Sequence, residues 1–333
     1  MSTDAGGTIY AYQIDKSGKA QAIGWHEIRN WKPENGYYWL VSRPDGAETR
    51  RWLQSESGLE PEVVNTLFSN DNRPQSIFSN TGTLIALRAV NQSVSDENDD
   101  ELTCVNIWVD NSRIITIRTR KILACDDVRN EIKEGEIPRD TGELFSRLVD
   151  RIMIRLAPFT SRIDHELDLL EDKILLSPTT GNSHHELSVM RHRIITARRF
   201  LVPQHGVLSS LYSDRAFWLS DPCKRQLREA NSHINRAIED INACREHAAL
   251  LQDEIMARMD RSMNRTMKIV AVFTAFLLPM NAVTSLLGTN IEGIPGQAGT
   301  NAPYGFLFEC LGLFLLMVVS YFVFKKLKWF DED

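Results

Sequence analysis

Between residues 222 and 288 apolar side chains return every three or four positions: Leu227, Ala230, Ile234, Ile238, Ile241, Ala248, Leu251, Ile255 and Met259. That period marks one face of an amphipathic helix, a packing seam for preceding helices or for other copies of the chain. Asp221-Pro222 supplies an N-cap and a proline at the first helical position, and no breaker follows until Pro279. The pattern therefore predicts one continuous helix over 222–288. Upstream, helical periodicity covers Glu143 to Leu176 and Ser183 to Tyr212, with Pro158 and Pro203 as points of kinking or interruption. Residues 1–135 read differently. Runs at Tyr37 to Ser42, Thr83 to Val90, Thr103 to Val109 and Arg113 to Thr119 predict strands, the last two forming a hairpin that turns at Asp110-Asn111-Ser112. Helical candidates lie at Glu48 to Ser57 and Pro61 to Asn70, and the acidic run Ser95 to Glu101 reads as a solvated strand connection.

The last quarter changes character. Ile269 to Gly288 carries no charge, and Tyr304 to Phe324 carries one, Glu309. A bilayer core of ~30 Å needs ~20 helical residues, so both qualify as spans; the competing reading is a pair of helices buried in a soluble core. Arg258, Arg261, Arg265 and Lys268 precede the first span and Lys325, Lys326 and Lys328 follow the second, while the loop Thr289 to Pro303 has no Lys or Arg. The positive-inside rule then places both termini in the cytoplasm. The expected organisation is an α+β cytosolic domain (1–140), antiparallel cytosolic helices (141–221) and a stalk helix (222–288) whose end is the first span (269–288). An outer loop (289–303), a second span (304–324) and a charged tail (325–333) complete it.

Composition alone hides this. A net charge of -6, 43% hydrophobic residues and a mean hydropathy of -0.26 describe an ordinary soluble chain, not a collagenous, disordered or disulfide-built one, and give no footprint for nucleic acid. Yet residues 269–324 hold two charges, Glu292 and Glu309, and the first 268 residues carry 35 basic and 39 acidic side chains, a net of only -4. Cys104, Cys125, Cys223, Cys244 and Cys310 form no C-x-x-C pair, which suits a reducing compartment. The N-terminus resembles no targeting signal.

A second stripe runs along the long helix at alternating steps of three and four: Asp253, Ala257, Asp260, Asn264, Met267, Ala271, Thr274, Leu278, Asn281 and Ser285. Polar side chains inside a span are costly against lipid and must face protein or water. Two readings fit. Several copies around an axis enclose a water path whose amide and hydroxyl oxygens meet a hydrated cation, with Asp at the cytosolic end. Alternatively the polar groups hold helices together.

The first span ends on Gly288-Thr289-Asn290 and continues Ile291-Glu292-Gly293-Ile294-Pro295-Gly296. A Gly-x-Asn motif after a span that extends a long helix, with a second span closing the chain, resembles the CorA superfamily of divalent-cation transporters. The resemblance covers the whole layout. It implies a homopentamer with the long helix lining a central pore, and Asn290 as the outer ring that meets the hydrated ion. By position it also puts Asn281, Leu278, Met267, Asn264 and Asp253 on the path, the same stripe that periodicity identifies. Magnesium-type members carry Tyr-Gly-Met-Asn and then Met-Pro-Glu. Here Leu287 replaces the Tyr, Thr289 replaces the Met, and Ile294-Pro295-Gly296 looks like the ZntB branch, which implies zinc transport and proton-coupled uptake across a bacterial inner membrane. Glu292 departs toward the magnesium branch.

Ligand chemistry leaves the ion open. Zinc prefers imidazole and thiolate, but neither span nor the outer loop has a His, and Cys310 is the only thiol there. Selectivity must act on a hydrated ion or at cytosolic sites; the cargo that the ZntB resemblance implies is zinc, with cadmium, nickel, cobalt or magnesium as competitors. Proton coupling needs a titratable group, and Glu309, Glu292, Asp253 and Asp260 are the candidates. Apolar Leu278 and Met267 are candidate constrictions. His184, His185 and His192 read as a solvated helix start before a metal cluster, and Glu166, Asp168, Glu171 and Asp172 as an exposed face before a regulatory cation site. No P-loop, nucleophile elbow or H-E-x-x-H motif occurs, which argues against an ATP-driven pump and an enzyme. A non-conducting membrane-anchored coiled-coil sensor or adaptor is the alternative of another class.

Overall fold

The computed structural model describes residues 8–69, 73–91, 102–176, 180–288 and 305–326. The chain divides into two compact units, Met1–Gln252 and Asp253–Asp333.

The first unit is built on a seven-stranded sheet. Its strands are β1 (Thr8–Ile14), β2 (Ala20–Ala22), β3 (Tyr37–Ser42), β4 (Gln75–Phe78), β5 (Thr83–Val90), β6 (Leu102–Val109) and β7 (Arg113–Arg118), in the order β2-β1-β3-β7-β6-β5-β4. Every pairing is antiparallel except β3 with β7, which runs parallel from Tyr38 opposite Arg113 to Ser42 opposite Ile117. All six residues of β3 and all eight of β6 are buried, so both faces of the sheet are covered. That burial is why these strands read as continuous apolar runs rather than alternating ones.

One face carries α1 (Trp25–Arg29), α2 (Ala47–Ser55) and α3 (Pro61–Leu67). Ile28, Trp52, Leu53, Val63, Val64 and Leu67 pack there with Tyr38, Leu40, Trp108 and Ile115 of the sheet. Gly82 before β5 is required by close approach: a Cβ would lie 2.5 Å from the Trp108 ring and 2.6 Å from the Val109 carbonyl oxygen. The opposite face meets α5 (Thr141–Ile154), α6 (Leu156–Leu176) and α7 (Thr180–Ser210), with α4 (Leu123–Glu134) packed on α5. Asp140 caps α5 by accepting from the Glu143 N–H at 2.8 Å, and Phe145 meets Trp218 edge-on at 5.1 Å.

One expectation needs correction. The helix expected over Glu143 to Leu176 is two helices, interrupted at Arg155. Pro158 has no N–H and its ring crowds the carbonyl four residues back, that of Ile154, which is where α5 stops. Pro203, by contrast, stays inside α7, which passes into a wider π turn over Leu211–Arg215.

The long helix α8 spans Asp221–Leu287, 67 residues, with Pro279 inside it. Its buried apolar positions in the first unit are Cys223, Leu227, Ala230, Ile234, Ala237, Ile241, Cys244, Ala248 and Leu251, stepping alternately four and three, with Asn231 buried beside Ala230. Ala237 therefore takes the level assigned above to Ile238, and Cys244 fills a level the apolar reading skipped. Met259 is exposed. A strict seven-residue repeat is a coiled-coil seam, with small residues where neighbours approach closely. The acidic run from Ser95 to Glu101 lies outside the described residues.

The second unit contains the rest of α8 and α9 (Gly305–Lys326). Among the described residues one helix, α8, is long and apolar enough to cross a membrane by length and composition; α9 carries a shorter apolar stretch there, Cys310–Val323.

Candidate functional site

The candidate ion path is a face of α8. Helical geometry places residues separated by three and four on one side, and Asp253, Asp260, Asn264, Met267, Thr274, Leu278, Asn281 and Ser285 are all exposed, with the smaller Ala257 and Ala271 half-buried. Ile269, Val270, Phe273 and Leu277 beside this stripe are exposed as well. The segment thus offers two kinds of uncovered surface, one apolar and one with polar groups at most levels.

Local hydrogen bonds define what the polar groups can still do. The Thr274 hydroxyl donates to the Val270 carbonyl at 2.8 Å, so its proton is engaged by its own helix and its lone pairs face outward. Toward the N-terminal end of this stripe Glu254 is neutralised by Arg258 at 2.7 Å and Arg261 at 3.6 Å. The Arg258 side chain holds the Glu254 carboxyl below its ordinary range. Asp253 and Asp260 enter no ion pair among the described residues, so their charge is not spent on a neighbour. Pro279 lacks an N–H, which leaves the Ala275 carbonyl without its helical donor inside the apolar segment.

Gly288 closes the described part of the motif, its N–H donating to the Thr284 carbonyl at 2.9 Å. Thr289, Asn290 and Glu292 lie outside the described residues. Glu309 falls within α9, one turn from its start. The structure therefore brings the α8 stripe together on one face, while the outer ring stays a sequence assignment.

The signals in the first unit sort differently. His184, His185 and His192 are exposed on α7. Glu166 pairs with Arg193. Asp168 and Glu171, however, converge on His247 of α8, and Asp164 joins them. Sequence reasoning missed Asp164 and His247 as partners because 83 positions separate them and no local spacing links them.

Comparison with known proteins places this geometry in context. Residues 34–326 match the family model described as CorA-like Mg2+ transporter protein. The chain is 32% identical over 329 residues to the zinc transport protein ZntB of Pectobacterium atrosepticum, covering 97% of this chain and 96% of that protein. It is 29% identical over 331 residues to the divalent cation transporter CmaX of Pseudomonas aeruginosa, covering 98% of each. Among solved structures, full-length CmaX superposes with a TM-score of 0.80 at 28% identity, covering 99% of this chain and 100% of that one. The CorA magnesium transporter from Methanocaldococcus jannaschii superposes with a TM-score of 0.81 at 18% identity, covering 97% and 99%, a likeness of fold.

Proposed function

The chain belongs to the CorA superfamily of divalent-cation transporters, in its ZntB-like branch, and from that premise we propose that it takes zinc into the cytoplasm through the central pore of a homopentamer. A divalent-cation transporter is a membrane protein and not an enzyme, and nothing in the chain supplies ATP chemistry. The observation that carries the reading is the exposed stripe on α8, polar at most levels within an otherwise apolar segment. A lone helix cannot enclose water. Five copies presenting Asn281, Thr274, Asn264 and Ser285 inward can.

In this reading a hydrated ion meets the amide oxygens of an Asn290 ring first, with Gly288 and Thr289 setting the turn and Glu292 adding negative charge at the mouth. Amide and hydroxyl oxygens that contact the ion through its hydration shell favour divalent charge over ligand softness. Leu278 and Met267 form the apolar constrictions, and unpaired Asp260 and Asp253 raise the local cation concentration at the cytosolic end. Glu309, a carboxyl within the second span, is the group assigned to proton coupling. The pore sits in a bacterial inner membrane with both termini cytoplasmic.

Zinc uptake into proteoliposomes, with and without an inward proton gradient, tests the reading. Uptake no faster than in empty vesicles rejects transport, and flux indifferent to the gradient rejects coupling. Asn290→Ala should abolish uptake with the assembly intact on size exclusion. A second reading, a magnesium, cobalt or nickel channel, is favoured by Glu292 and by the absence of His from both spans. Competition of these ions, and of cadmium, against zinc flux separates the two. A non-conducting anchored adaptor predicts no flux and no effect of stripe substitutions.

A further inference from the structure

We propose that Met256, Met259, Met263 and Met267 form a thioether site for a soft monovalent cation, copper(I) or silver(I), on α8 just before its apolar segment. The ligands all come from one helix of one chain, so the site stands whether or not the chain conducts. Residues 256–267 read MARMDRSMNRTM, an M-x-x-M-x-x-x-M-x-x-x-M ladder that holds four of the nine methionines of the chain. Steps of three and four put each sulfur beside the next on the helix surface, with Cβ atoms about 5–6 Å apart.

Three observations separate this ladder from a packing seam. All four side chains are exposed, from 47% at Met256 to 61% at Met267, and between Asp253 and Lys268 they are the only large apolar side chains that are, Ile255 being buried. Upstream, α8 builds its buried seam from Leu, Ile, Ala and Cys. Here every exposed apolar position carries sulfur, a choice that packing does not require, since Leu and Met exchange readily in apolar contacts. The sulfur lone pairs are also uncommitted. Among the described residues Met153 accepts from Gln204 and Met190 from Arg193, whereas no hydrogen bond reaches the four of the ladder. Finally, the charges are sorted around the helix. At about 100° per residue the methionines lie within an arc of about 80°, and Arg258, Arg261, Arg265 and Lys268 occupy an equal arc on the opposite side. Asp260, which enters no ion pair among the described residues, lies at the edge of the methionine arc.

The ligand type selects the ion. A thioether is neutral and soft, and soft sulfur favours copper(I), whereas magnesium keeps to oxygen and zinc prefers imidazole and thiolate. Methionine is unbranched with three rotatable bonds, so two or three neighbouring sulfurs can close on one ion while the helix stays as it is. The carboxylate of Asp260 offsets the charge of the bound ion. No ligand loses a proton on binding, so affinity is flat with pH, where carboxylate, imidazole and thiolate sites release metal on acidification.

The test uses the full chain carrying Cys310→Ser, which removes the exposed thiol, purified in detergent without oxygen. Copper(I) is titrated in competition with a chromophoric chelator at mildly acidic and at neutral pH, and silver(I) is titrated calorimetrically as a redox-inert second probe. The expected result is at least one equivalent of either ion per chain, with the same affinity at both pH values, undiminished by excess zinc or magnesium. Met259→Leu/Met263→Leu should weaken that binding at least tenfold. Leucine keeps the apolar volume and removes the sulfur, so the metal-free double variant should melt with the parent, and Met263→Leu alone should bind with intermediate affinity. Met317→Leu, at an exposed position of α9 outside the ladder, should titrate like the parent. Binding as tight in the double variant as in the parent overturns the proposal, and so does affinity that falls on acidification or displacement by excess zinc. Because binding is read without flux, failure here is distinct from failure of the transport reading.

Discussion

Gln204 completes a two-bond ring on the backbone of Arg88, 116 residues away: Oε1 accepts from the Arg88 N–H at 2.6 Å and Nε2 donates to the Arg88 carbonyl at 3.1 Å. Strand β4 ends with Gln75 opposite Ala86, two residues short of this point. A side chain of α7 thus supplies the rung that the edge strand is too short to make, in a fully buried position. Buried backbone groups must be paired, so this amide ties helix layer to sheet.

Gln204→Leu should destabilise the first unit by about 2–5 kcal/mol, because it leaves a buried N–H and a buried C=O unmet at roughly 1–3 kcal/mol each. Thermal melting of the purified full chain reads this, and a melting temperature equal to the parent's would refute the role.

Asp110 organises the β6–β7 turn. Oδ1 accepts from the N–H groups of Ser112 at 2.8 Å and Arg113 at 3.0 Å, and Oδ2 accepts from Trp108 Nε1 at 2.9 Å and Arg113 Nε at 2.7 Å. Asp110→Ala strands all these donors and a part-buried guanidinium, so a loss of about 3–5 kcal/mol is expected. Asp110→Asn, which keeps one acceptor, should lose less. Chemical denaturation of both variants ranks them.

Alkali should weaken the fold before it touches the native side chains. Burial pushes the Cys125 thiol from 9.0 to about 12, against the pull of Arg118, and burial pushes Tyr38 from 10.0 to about 12. Both stay neutral in the folded chain while the unfolded chain ionises, so stability is intact below about pH 9 and falls as pH rises toward 12. Melting temperature against pH tracks this, and Cys125 should resist iodoacetamide at pH 8 until the chain is unfolded.

Under the proposed pore reading, Leu278→Asn should raise zinc flux by wetting the constriction assigned to that residue. Glu309→Gln should leave downhill zinc flux in place and remove its dependence on the proton gradient. Stopped-flow uptake with a vesicle-trapped zinc dye measures both, and an unaltered gradient response in Glu309→Gln would transfer the coupling role away from this carboxyl.

Strands covered on both faces were legible as apolar runs, hence β3, β5, β6 and β7. β4 was not, since its four residues are half-exposed at the sheet edge, and β1 mixes Thr, Tyr and Gln with its apolar positions. Hydrophobicity favoured Ile238 over Ala237 on the α8 seam, but register decides which side chain faces inward, and small residues serve there. The α8 stripe was legible because its period is local. The pairing of His247 with Asp164 and Asp168 was not, because it arises only when α6 lies against α8.

The strand order divides the sheet into two hairpin-built halves, residues 8–42 and 75–118, joined by the single parallel seam between β3 and β7. Each half can form from neighbouring segments, whereas the seam needs both. During synthesis β3 is made about 75 residues before β7 is finished, and at ~5–20 residues per second it waits roughly 4–15 s with one edge open. Its apolar run Tyr37 to Val41 is then a template for any passing strand. The stretch that makes the finished sheet so well buried is, for those seconds, the nascent chain's most exposed hazard, and chaperone dependence of this protein should concentrate there.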